Sequence, residues 1–165
     1  GQLMMAIRSH ARGELEDARL GYLSSATIRS TPWTARGLAQ LATARGDHAE
    51  AADLYASAVA QAPTSLPLLV EATDQLLTTG RSAACLAMIA AAPDRISSHG
   101  RVVLQRIRAL LAVSRVDAAR ALLETDIEVP DLREGETLGT LWQAAFGERP
   151  LPYRYDFRMH SDLEQ

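Results

Sequence analysis

Residues Pro32 to Ser65 read PWTARGLAQLATARGDHAEAADLYASAVAQAPTS, 34 residues that carry two helical patterns with a glycine between them and a proline closing the second. Thr31 can cap the first helix with its hydroxyl, and Pro32 falls in the first turn, where a missing N–H costs nothing. Gly46 is placed to end that helix in the left-handed conformation. Asp47 with Glu50 forms an acidic variant of the capping box and starts the second helix, which Pro63 closes. The small side chains of Ala39 and Ala51 let two antiparallel helices approach closely, and the ring of Tyr55 fills space against the helix that follows.

The same punctuation returns 34 residues on, and a fixed period of that size governs the reading of the whole chain. In a unit opening at Leu66, Gly80 stands where Gly46 stood, with Cys85 and Ile89 at the positions of Ala51 and Tyr55. Its second helix is expected to stop early, at Pro93, and the stacking to deviate there. A degenerate third register from Gly100 places Ile107, Ser114 at the turn, Ala119 and Leu123. Upstream, Gly13, Ala18 and Tyr22 keep the spacing, but Pro32 arrives two residues late. A first pair with a longer second helix is therefore expected, and the chain, opening inside a helix, reads as part of a longer protein.

With Pro32 as the first position, Leu38, Ala39, Gly46, Ala51, Tyr55, Ala58 and Pro63 each match the residue type found there in the tetratricopeptide repeat family, which this segment closely resembles. The resemblance implies an all-α, right-handed α-solenoid of helix-turn-helix repeats. About four helix pairs occupy residues 1–124, and residues 125–165 form an acidic connector, a capping helix and an aromatic tail packed on the solenoid.

Composition agrees with a helical reading. Ala and Leu supply 52 of 165 residues and Phe, Tyr and Trp together 5%, whereas sheets favour β-branched and aromatic side chains. No apolar run approaches the roughly 18 residues of a spanning helix, so a soluble protein is expected. The net charge is −3, with 17 Arg and no Lys, which gives little support to phosphate-driven binding. The lone Cys argues against a disulfide scaffold and fits the cytoplasm.

Beyond residue 124 the pattern changes. Glu124, Asp126, Glu128, Asp131, Glu134 and Glu136 face only Arg133, and Pro130 and Gly135 interrupt them, so an irregular connector is expected. A short helix over Thr137 to Phe146 would set Leu138, Leu141, Trp142 and Phe146 on one face to cap an exposed apolar end. From Pro150 the tail should run extended, with Tyr153, Tyr155 and Phe157 packing back on the helices. The segments DLREGE (Asp131–Glu136), LGTLW (Leu138–Trp142) and LPYRYDFRM (Leu151–Met159) resemble the C-terminal end of long bacterial proteins that carry a β-rich domain of unknown function before tetratricopeptide repeats.

The tetratricopeptide resemblance implies that the first helix of each pair lines a concave face holding an extended peptide or a partner helix. Carried onto this chain, that nominates Trp33, Arg36 and Gln40, then Val70 and Asp74, then Arg101, Leu104 and Arg108, with Ile7 and His10 from the first pair. The alternative is a spacer whose groove is filled by its own tail. Arg36, Gln40, Arg101 and Gln105 resemble a clamp for a C-terminal carboxylate, but Glu71 would repel an anionic terminus.

Six Arg and one Asp between Arg95 and Arg120 could be neutralised by the acidic segment behind them. His10, His48, His99 and His160 are dispersed without metal-ligand spacing, and no phosphate-cradling glycine run occurs. Cys85 reads as a buried, inert thiol. These observations point to a non-catalytic, cofactor-free module for a protein or peptide partner, or for another domain of the same chain. It would bind neither nucleic acid nor membrane, and could self-associate weakly. The second reading is an accessory fragment of a larger bacterial carbohydrate-active protein whose catalytic domain lies elsewhere.

Overall fold

Thr31 accepts a hydrogen bond from the N–H of Thr34 at 3.1 Å, and Pro32 occupies the first turn of α1, Pro32–Ala44. The computed structural model describes residues 18–21, 23, 31–128 and 132–155, and every regular element among them is helical. Helix α2 follows as His48–Gln61 and α3 as Leu66–Thr78. Then come α4 (Ser82–Ala91), α5 (Asp94–Ser97), α6 (Gly100–Ala112), α7 (Val116–Leu123), α8 (Leu132–Phe146) and a 3-10 turn over Tyr153–Tyr155. The chain divides into two units, one ending at Gln75 and the other beginning at Leu76. The expected first helix pair lies largely outside the described residues, although Ala18 is helical and buried.

Three turns set 34 residues apart share one geometry. Gly46 (φ 78°), Gly80 (φ 75°) and Ser114 (φ 62°) are all left-handed. In each case the next N–H reaches back five residues, from Asp47 to Ala42 O, Arg81 to Leu76 O and Arg115 to Leu110 O, at 2.7–2.9 Å. This bond satisfies a carbonyl that the helix end would otherwise leave open. It also explains why the capping box forms only in part. Asp47 accepts from the N–H of Glu50 at 3.1 Å, but its own N–H is committed to Ala42, so the Glu50 carboxylate turns to Arg45 at 3.0 Å instead.

In the first unit, α1 and α2 pack through small residues, with Ala39, Ala42 and Ala58 fully buried and Ala51 nearly so. Ala35 and Ala58 meet Leu68 of α3. In the second unit, α4 ends two residues before Pro93, as its sequence requires, and the single turn α5 is inserted before α6. His99 caps α6, its Nδ1 accepting from the N–H of Arg101 at 3.3 Å. The core of this unit gathers Leu104, Ile107 and Leu110 of α6, Ala119 and Leu123 of α7, Leu138, Leu141 and Trp142 of α8, and Tyr155.

Two expectations for the C-terminal part are corrected. The capping helix starts at Leu132 rather than Thr137, taking in residues read as connector. Glu134 in its first turn is favoured by the helix dipole and pairs with Arg101 across to α6. Nor does the tail run extended throughout. A strand would put Tyr153 and Tyr155 on one face, but the 3-10 turn separates them, leaving Tyr155 buried at 3% exposure and Tyr153 exposed at 54%. Phe157 lies outside the described residues.

Candidate functional site

Trp33, Arg36 and Gln40 lie at i, i+3 and i+7 on α1 and so share one face of the helix. The neighbouring positions Thr34, Ala35, Gly37, Ala39, Leu41 and Ala42 are buried. Trp33 is 54% exposed, a large apolar surface left in water.

The two polar members of the face are held by α3. Arg36 donates through Nε to Glu71 Oε2 at 2.7 Å, and Gln40 donates through Nε2 to Glu71 Oε1 at 2.9 Å. The same Oε1 accepts from the Tyr55 hydroxyl of α2 at 3.2 Å. One carboxylate thus ties three helices together. Burial, reinforced by the negative charge of Glu71, pushes the Tyr55 hydroxyl above the usual phenol range, so it stays a donor. Glu71, expected only to repel an incoming carboxylate, itself accepts from Arg36 and Gln40. The sequence names Tyr55 as a space-filler and leaves its hydroxyl unassigned, although a tyrosine at a packing position signals a polar partner within reach.

The remaining candidates are dispersed in role. Val70 and Asp74, one turn apart on α3, are partly buried. Arg101 pairs with Glu134, and Arg108 donates through Nη1 to Gln105 Oε1 at 2.6 Å. Gln105 itself is 7% exposed. Leu104 is 3% exposed within the core of the second unit, so it offers no surface to a partner. The reason is geometric: Leu104, Ile107 and Leu123 fill the space over which α8 is laid. Ile7 and His10 lie outside the described residues.

Of the arginine run, Arg101 meets the expected internal neutralisation through Glu134. Glu124 is taken by Arg149 at 3.0 Å and Asp126 by Arg154 at 3.5 Å, neither of them in that run. Arg120 donates through Nε to Ala145 O at 2.8 Å and stacks on Phe146.

Cys85 is fully buried, and burial pushes its thiol up to about 11 against the opposing pull of Arg108. Its pKa and inaccessibility are those of an unreactive sulfur. Among the described residues no His, Cys, Asp and Glu cluster in a way that would hold a metal ion, and no described helix is long and apolar enough to cross a membrane.

The fold has a counterpart among solved structures. A thermophilic tetratricopeptide-repeat protein of Thermus thermophilus superposes with a TM-score of 0.52 at 19% identity, covering 99% of this chain and 98% of that one. No protein-family model matches the chain, and no curated protein matches it. The fold is all-α, of the tetratricopeptide type and consistent with an α-solenoid.

Proposed function

We propose that the chain is a non-catalytic interaction module that holds a peptide, a partner protein or another domain of its own chain on the first helices of its pairs. The observation that carries this reading is the exposed Trp33 ring, set beside an Arg36 guanidinium that Glu71 holds in place. An exposed aromatic on the same helix face as a paired cation supplies contact area of the kind that binding hot spots use. Arg36 and Gln40 would contribute through the donors that Glu71 leaves unused, with Val70 and Asp74 of α3 in the same unit, while Arg101 and Arg108 are the candidate positions of the second unit. A fold built to stack helix pairs offers surface rather than a cleft for chemistry. The second reading, an accessory part of a carbohydrate-active protein, rests on the likeness of three C-terminal segments alone.

The test is quantitative capture from native lysate with the wild-type chain and with Trp33→Ala. Because Trp33 is exposed, its removal should leave the fold intact while the specifically captured set falls away. Unchanged capture would show that α1 is not the binding face. Arg36→Ala serves poorly as a first variant, since it also breaks the bond to Glu71.

A further inference from the structure

Past the end of α8 the chain reads GERPLPYRY over residues 147–155. Gly147 is left-handed (φ 63°), and a side chain there would meet nothing within 4 Å. Glycine in open space is the residue about which a backbone turns most readily. The helix before it is held: the Gly147 N–H closes the last turn of α8 on Gln143 O at 2.8 Å, and Arg120 of α7 donates to Ala145 O at 2.8 Å. Pro150 and Pro152 then fix φ at two points and stiffen the stretch that follows. A pivot, a stiff arm and a tyrosine come in that order.

The arm lies across residues 124–127, which lead out of α7 with no regular structure of their own. Arg149 Nη1 pairs with Glu124 Oε1 at 3.0 Å and Arg154 Nε with Asp126 Oδ1 at 3.5 Å, while Arg154 Nη2 donates to Glu124 O at 3.0 Å. The Tyr155 hydroxyl accepts from the Ile127 N–H at 3.2 Å and donates to Thr125 O. The apolar share comes from the Tyr155 ring and Leu151. Thr125, Asp126 and Ile127 also border an open cavity of about 770 Å³, so packed core does not hold them from that side.

The charged groups of these contacts are exposed, from 43% for Arg154 to 93% for Asp126, and at such sites an ion pair is weak and screened by salt. Ile107, Leu123 and Leu138 inside the same unit are fully buried and offer salt no charge to screen. Segments held by few apolar contacts and exposed polar ones open locally, well below the free energy of global unfolding.

We propose that residues 147–155 form a strap that swings open about Gly147 while α6, α7 and α8 stay folded, and that the Arg149–Glu124 and Arg154–Asp126 pairs set how often it opens. Opening lifts the Tyr155 ring away from Trp142, which is 2% exposed under the closed strap, and bares that end of the second unit's core.

Hydrogen exchange of the full chain, followed amide by amide by NMR, tests this. The Ile127 N–H reports the strap and the Ile107 N–H the interior of α6. Ile127 should exchange through an opening that urea below the unfolding transition barely affects, whereas Ile107 should exchange by global unfolding and accelerate with urea. Raising NaCl from about 0.05 to about 1 M should speed Ile127 about three- to tenfold relative to Ile107, the scale of two exposed ion pairs. Glu124→Arg with Asp126→Arg should open the strap at least as far in low salt. It should also invert the response, since salt then screens repulsion. Glu128→Arg, on the same connector but paired with no described residue of the strap, should leave Ile127 as in the wild type. In a Trp33→Phe background, acrylamide quenching of Trp142 should follow the same order.

One protection and one urea dependence for Ile127 and Ile107 would mean that the strap opens only with the whole unit, which overturns the proposal. Indifference of Ile127 to salt and to the double substitution would overturn it as well, and so would exchange at the rate of an unstructured peptide in low salt.

Discussion

Glu71 reaches Arg36 across 35 residues of chain and accepts its Nε at 2.7 Å, while its other oxygen serves Gln40 and Tyr55. The side chains are partly exposed, 39% for Arg36 and 27% for Glu71, so the ion pair alone contributes little. The cost of breaking it lies in the donors left behind. Glu71→Ala should therefore destabilise the chain by about 1–2 kcal/mol, read as a lower urea midpoint. Glu71→Gln, which keeps an acceptor for Gln40 and Tyr55, should cost less. Equal losses in the two variants would show that charge, not hydrogen bonding, ties α1 and α2 to α3.

Ser114 repeats the left-handed turn of Gly46 and Gly80 with a side chain that disfavours it. A non-glycine residue in that conformation carries strain on the order of 1 kcal/mol, and the backbone bonds around it match those at the two glycines. Ser114→Gly should thus stabilise the second unit by about 0.5–1 kcal/mol after the added freedom of the unfolded chain is subtracted. Gly46→Ala should destabilise by a similar amount. Thermal unfolding checks both, and a lower midpoint for Ser114→Gly would show that the serine hydroxyl does something the turn needs.

Residue types at fixed spacing made the helix pairs legible because each position answers a local demand. Pro32 opens a helix, Gly46 and Gly80 end one, and Ala39, Ala51 and Ala119 are small where two helices meet. Ser114 was readable only by counting, since the residue itself does not advertise the turn. The start of α8 is not legible locally, because Glu134 and Gly135 have the composition of a connector and it is Arg101, more than 30 positions earlier, that holds Glu134. The candidate face was read less well. Register assigned Leu104 to the surface, but which face of α6 is covered depends on α8 folding back over it. The role of Glu71 likewise depends on three helices converging, which no local pattern records.

Cys85 offers a pH test. Its thiol is raised from 9.0 to about 11, burial being the main cause. The folded state keeps a proton that the unfolded chain releases above pH 9, so this contribution to stability is whole below pH 9 and is lost as the pH climbs towards 11. The melting temperature of the wild type should fall more steeply over that window than that of Cys85→Ala. Two pH units also mean about a hundredfold smaller thiolate fraction near neutrality, so a disulfide reagent at pH 8 should label the native chain far more slowly than the urea-unfolded one. Labelling at equal rates would mean that Cys85 is not enclosed as described.

Tyr155 anchors the C-terminal turn by polar as well as apolar means. Its hydroxyl donates to Thr125 O and accepts from the N–H of Ile127 at 3.2 Å, while its ring lies 6.4 Å from that of Trp142. Trp142 in turn donates through Nε1 to Arg149 O at 3.0 Å, under the Arg149 guanidinium. Tyr155→Phe keeps the ring and leaves a buried N–H without its acceptor, for an expected loss of about 1–2 kcal/mol. Tyr155→Ala also opens a cavity and should cost about 3–5 kcal/mol. In a Trp33→Phe background the fluorescence of Trp142 reports this region alone, and Tyr155→Ala should shift its emission to the red. If emission and stability stay unchanged in Tyr155→Ala, the turn is an ornament on α8 and the helix caps the second unit without it.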